Sequence, residues 1–208
     1  MKASSIASVS LAALAAAAAP PLFAQATYPP QDSYRMPYQK DFWTTGHAGI
    51  SLGRSKLDES CPAGFSCDNK ANAWKAYVGG RFNNTFGGEI TYLKTSDFTR
   101  GGGGTNMRAL NFGLLAGIPF GLGMNSSIFG KLGVLWGHTE VTGAALMPTG
   151  DVNGWGPSVG LGAMIGVTRD WAVRLDWDRY RFKMPGGSGR DNVDSLMIGA
   201  QYTFGNPR

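Results

Sequence analysis

Charge is scarce in this chain. Asp, Glu, Lys and Arg make up 16% of it, against ~25% in an ordinary soluble domain. No Lys/Arg run exceeds two residues and the formal net charge is only +5, which excludes nucleic acid as a partner. Beyond the first 26 residues no apolar run approaches the ~18 residues of a membrane-spanning helix, because glycines and charges interrupt every candidate. Only two cysteines and two histidines are present, which leaves little material for a metal site. What abounds is glycine, 31 of 208 residues, about twice the usual share. With 43% hydrophobic and 12% aromatic residues, this composition excludes both disorder and a helical bundle or coiled coil. The length predicts one domain plus short extras.

Residues 1–26 open with Lys2, run through an apolar stretch from Ile6 to Ala19 and end on Ala24-Gln25-Ala26. That order is expected of a cleaved signal peptide; the alternative, an N-terminal anchor, is disfavoured by a stretch shorter than the ~20 residues a span needs. Residues 27–42 hold Pro29, Pro30 and Pro37 without apolar periodicity and read as a flexible periplasmic segment. Cys61 and Cys67 are separated by five residues in a polar stretch. Export predicts a disulfide between them, the alternative of a metal pair lacking any nearby His or further Cys.

From His47 onward a period of two recurs in eight segments. Ile50 and Leu52 in the first, Trp74, Ala76 and Val78 in the second, and Ile90 and Tyr92 in the third share one face each. So do Leu110, Phe112 and Leu114 in the fourth, Ile128, Leu132 and Val134 in the fifth, and Val159, Leu161 and Ile165 in the sixth. Val173 and Leu175 complete the seventh, and Leu196, Ile198 and Ala200 the eighth. These faces carry no charge; the opposite faces carry Lys75, Arg81, Glu89, Lys131, Arg174, Asp176 and Asp178. Trp74, Phe82, Phe86, Tyr92, Trp136, Trp155, Trp171, Trp177, Tyr202 and Phe204 fall at or near segment ends, as two aromatic girdles would.

Eight residues at ~3.3 Å each, tilted by about 40°, cover roughly 20 Å, close to the apolar band of an outer-membrane barrel. The stretches from Ser55 to Asn72, Thr95 to Asn106, Thr139 to Gly154 and Lys183 to Asn192 are long and polar, and the alternate connections are short. The expected fold is all-β: an eight-stranded antiparallel up-and-down transmembrane β-barrel over residues 43–204, followed by a tail of residues 205–208. A soluble lipocalin-like barrel would alternate too. The glycines on the polar face of the sixth segment (Gly156, Gly160, Gly162, Gly166) would leave such a barrel's exterior bare.

The segment Trp171-Ala172-Val173-Arg174-Leu175-Asp176-Trp177-Asp178-Arg179-Tyr180 and the closing segment Ser195 to Phe204 resemble the OmpA/OmpX-type outer-membrane barrels, a likeness covering about Phe42 to Phe204. The resemblance implies an integral outer-membrane protein amid lipid and lipopolysaccharide, a monomer, handled by the barrel-assembly machinery through a closing aromatic. Here Phe204 is followed by four more residues, and the peptidoglycan-binding domain of some relatives is not expected.

Eight strands leave a bore just wide enough for side chains, so the charged face is expected to plug it with ion pairs. Strand directions place Arg81 low, Lys75 high, and Glu89, Lys131, Arg174 and Asp176 near mid-height. Glu89 with Arg174 and Lys131 with Asp176 are the expected contacts. His47 and His138 fall at opposite ends and cannot share a site. His138 with Glu140 is the sole candidate for a lipid-modifying centre, and it lacks a positioned nucleophile. Gly101 to Gly104 lacks the Lys-Ser/Thr of a phosphate cradle and reads as a surface loop; Asp151, Asp191 and Asp194 match no calcium loop and read as solvated acids. No cofactor, metal or catalytic residue is expected. The leading reading is a non-enzymatic envelope scaffold with four surface loops; a lipid-modifying barrel enzyme and a surface adhesion or interaction protein are the alternatives.

Overall fold

The computed structural model describes residues 45–58, 67–83, 85–100, 103–120, 126–143, 149–186 and 189–205. The expected leader, the segment 27–42 and Cys61 lie outside them. Among the described residues no helix is long and apolar enough to cross a membrane, and the structure is built of strands throughout. They are β1 (Thr45–Asp58), β2 (Cys67–Asp68), β3 (Lys70–Arg81), β4 (Phe86–Thr95), β5 (Phe98–Arg100), β6 (Gly103–Pro119), β7 (Ser127–Thr142), β8 (Gly150–Gly166), β9 (Trp171–Lys183) and β10 (Arg190–Phe204).

Eight of these are long, and each pairs antiparallel with its neighbours in the order β6, β4, β3, β1, β10, β9, β8, β7. Pairing of β6 with β7 closes the ring. First and last strands meet from Gly46 opposite Phe204 to Asp58 opposite Asn192, so the ring of eight long strands has no open edge.

The turns at one end are tight for local reasons. The N–H of Phe82 donates to the carbonyl of Phe86 at 2.9 Å. Asn83 Oδ1 accepts from the N–H groups of Thr85 and Phe86 at 2.8 and 2.7 Å, the side chain standing in for a backbone turn acceptor. Thr168 Oγ1 serves Trp171 N–H in the same way at 3.1 Å.

At the other end the strands run further than the alternation predicted. Residues 55–58, 70–72, 103–106, 139–142, 150–154 and 190–192 were expected in surface connections and belong to strands. Gly103 and Gly104 open β6 rather than sitting in a loop. Polar, glycine-rich sequence hid this, because a ladder whose outer face meets water needs no apolar alternation.

The uncharged face of every segment points outward. Leu132, Leu114 and Ile118 are 68%, 66% and 73% exposed, and Trp74, Trp136, Trp155, Trp171, Trp177, Phe86, Tyr92, Tyr202 and Phe204 are exposed beside them. Phe82 is the exception, half-buried in the turn after β3.

The inward face forms three layers. Near the long connections lies an apolar cluster that includes Leu57, Leu93, Phe98, Met107, Leu135, Tyr180, Phe182, Val193 and Met197. In the middle are the charges. Towards the tight turns, Phe129, Met164 and Ala172 form a second apolar group with Leu115 packed on it. The expected ion pairs are thus flanked by two apolar groups that the sequence reading did not name. Apolar side chains occupy the outer half, where strands continue past the outward aromatic row and the bore must still be filled.

Candidate functional site in the barrel lumen

Six of the seven expected lumen charges meet in the middle layer. Arg174 on β9 donates through Nη1 to Glu89 Oε2 on β4 at 2.6 Å and through Nη2 to Oε1 at 3.1 Å, the two-pronged geometry that a planar guanidinium offers a carboxylate. Its Nε lies 3.1 and 3.0 Å from the two carboxylate oxygens of Asp176, and Nη1 also donates to Gln201 Oε1 at 3.1 Å. Lys131 on β7 lies 2.9 Å from Asp176 Oδ1 and also pairs with Asp178 Oδ1. Lys75 on β3 donates to Asp178 Oδ2 at 2.7 Å and sits 2.9 Å from Asp176 Oδ2.

Lys75 was expected above this group. Cross-strand partners run from Lys75 to Ser51, Ser51 to Gly199 and Gly199 to Arg174, so Lys75 and Arg174 share one rung. In a tilted, staggered barrel, distance from a strand's end does not give height. Arg81 remains apart at the turn end, donating to Ser127 Oγ at 3.2 Å.

Three cations thus face three carboxylates in a space where Lys75 and Asp176 have no solvent exposure. Isolated charges there would be costly, and mutual pairing is what makes their burial tolerable.

Besides Gln201, four partners went unnoticed in the sequence. His47 Nε2 lies 3.3 Å from Glu89 Oε2, so this histidine joins the network instead of merely starting a strand. Thr91 Oγ1 donates to Glu89 Oε1 at 3.1 Å. The Arg174 guanidinium carbon is 4.2 Å from the Tyr77 ring centre and 4.6 Å from that of Phe129, held between two aromatic rings that attract a cation. Their inward phase was visible; the meeting of β1, β3, β4, β7 and β9 at one height was not.

Glycines make the room. A Cβ on Gly160 would collide with Asp178 Oδ1, and one on Gly162 with the Phe129 ring. The glycine density of β8 is therefore explained by what the lumen holds.

At the outer rim His138 and Glu140 are not brought together. His138 Nδ1 donates to Asn153 Oδ1 at 2.8 Å, and Glu140 Oε2 accepts from Asn106 Nδ2 at 3.5 Å. Asp194 is ion-paired, its oxygens 2.7 and 2.8 Å from Arg179 Nε and Nη2. Among the described residues no group of three or more His, Cys, Asp or Glu side chains is placed to hold a metal. Cys67 forms the start of β2, and there is no free cysteine among the described residues.

An apolar, aromatic-rimmed exterior around a filled lumen is the arrangement of a lipid-embedded barrel, and comparison with known proteins agrees. Neisserial surface protein A is similar in structure, with a TM-score of 0.61 and 11% identity, over 76% of this chain and 97% of that one. Ail, the attachment invasion locus protein of Yersinia pestis, has a TM-score of 0.54 and 17% identity over 78% and 99%. The N-terminal β-barrel domain of Pseudomonas aeruginosa OprF has a TM-score of 0.50 and 11% identity over 78% and 98%. No curated protein sequence matches the chain. Residues 6–204 match the family described as outer membrane protein beta-barrel domain. The chain belongs to that family and is an integral outer-membrane β-barrel protein.

Proposed function

We propose that the chain is a closed, non-enzymatic envelope scaffold. The observation that carries this reading is the filled lumen. An apolar cluster, a neutral set of three cations and three carboxylates, and a second apolar group follow one another along the bore. At the turn end a cavity of about 30 Å³ beside His47, Arg81 and Arg174 has room for little more than water.

The rim supports the absence of catalysis, since the only histidine there is engaged by an amide and no described hydroxyl bonds to it. A general base without a nucleophile in reach does no acyl transfer. Incubating the refolded protein with phospholipid and lipid A and following product masses tests this. Unchanged lipids are expected, and a deacylated or acylated product lost on His138→Ala would establish the enzyme instead.

A surface-interaction role has one structural support. β6 and β8 each hold 17 residues, roughly 40 Å at a ~40° tilt, more than the ~25 Å apolar band needs. The barrel therefore projects a rigid wall beyond the membrane.

A further inference from the structure

We infer that the small cavity at the turn end of the bore is a binding site for one chloride ion. It lies beside the turn between β3 and β4. Its wall combines Arg81, Arg174, His47 and Gln201 with the apolar side chains of Phe129 and Met164, and no described Asp or Glu lines it.

Donors dominate that wall. A guanidinium carries five N–H groups and serves several acceptors at once. Arg81 gives one of them to Ser127 Oγ. Arg174 makes four hydrogen bonds, to Glu89, Asp176 and Gln201, and one N–H on Nη2 is left. Gln201 spends its Oε1 on Arg174, which leaves its NH2 group to donate. His47 Nε2 faces Glu89 Oε2, so Nδ1 donates only when the ring is protonated; the site does not need it. Arg174 and Gln201 are buried, where a donor without an acceptor is costly. An anion in the cavity supplies the acceptor.

Size and charge select the ion. A space of about 30 Å³ holds one particle near the size of a water molecule. Sulfate and phosphate are larger, and their second charge raises the cost of leaving water. Two guanidinium groups repel a cation. Water fits, but a full negative charge makes the stronger, charge-assisted hydrogen bond to a guanidinium. The site is a dead end, because the ion-paired layer and the outer apolar cluster close the bore beyond it. A bound ion therefore does not make the barrel a channel.

The test follows the chloride NMR line width of the refolded barrel in uncharged maltoside micelles at constant ionic strength. Exchange with a slowly tumbling site broadens the line. The native barrel should broaden it, and added bromide should reverse the effect by competition, whereas sulfate should not. Arg81→Gln removes a charged donor and should bind chloride at least about tenfold more weakly. Arg169→Gln removes an exposed cation from the turn between β8 and β9 and should behave as the native chain does. No broadening by the native barrel, or equal loss in both variants, would overturn the site. Competition by sulfate as strong as by bromide would overturn the choice of chloride in favour of oxyanions. Crystals of the native protein grown in bromide give a readout independent of how the variants fold. One anomalous peak between Arg81 and Gln201 is expected, and peaks confined to the surface would overturn the site.

Discussion

Arg174→Met tests the middle layer most severely. It removes a cation that is 1% exposed while keeping an unbranched apolar stem between Tyr77 and Phe129. Lys75 and Lys131 would then face Glu89, Asp176 and Asp178, leaving one uncompensated negative charge in the bore. Removing one partner of a buried pair costs about 3–5 kcal/mol. Loss of the cation's contact with two rings adds roughly 0.5–2 kcal/mol, partly offset by the sulfur of Met against the same rings. The expected destabilisation is about 4 kcal/mol. Adding Glu89→Gln restores neutrality, and an amide at that position keeps an oxygen to accept from Thr91. The double variant should therefore be more stable than Arg174→Met alone, a coupling of at least ~2 kcal/mol. Urea titration of the refolded protein, scored by the compact band on unboiled gels, measures all four corners of the cycle. A single-variant cost below ~1 kcal/mol, or additive effects, would show that lumen water and not pairing carries these charges.

Leu132→Arg, at an outward position flanked by Leu114 and Val159, should cost about 2–4 kcal/mol of folding into lipid; an unchanged urea midpoint would mean that the outward face does not meet acyl chains. Gly160→Val should cost ~1–3 kcal/mol through overpacking, since its Cβ meets Asp178 and lies 3.0 Å from Lys131 Cε. Gly130→Val, where a Cβ finds only Leu161 at 3.9 Å, should be neutral, and the two are compared by the same titration. Reduction of the proposed Cys61–Cys67 bridge should cost ~2 kcal/mol or less and leave the barrel assembled. Alkylation of two thiols in unreduced native membranes would refute the bridge.

The strands were legible because lipid demands an unbroken apolar face: Ile50 and Leu52, Leu132 and Val134, Val173 and Leu175, and Leu196 and Ile198 each recur at every second residue, and no charge falls on that face. The inward charges were legible for the same reason, being out of phase with that set. Less legible was the outer apolar layer. Leu93 follows Tyr92, and Leu135 sits between Val134 and Trp136, so both faces are apolar there and the alternation that marks a one-sided strand disappears. Contacts such as His47 with Glu89, 42 residues apart, depend on tilt and stagger. Local pattern carries neither.

Apolar and ion-paired side chains close the bore along its length. Planar-bilayer recording of the refolded protein addresses that claim most directly. It predicts current indistinguishable from bare membrane at neutral pH, and still so for Arg174→Met, because Leu93, Met107, Leu135 and Phe182 above the charges are untouched. Stable, long-lived conductance steps from the native chain would contradict it.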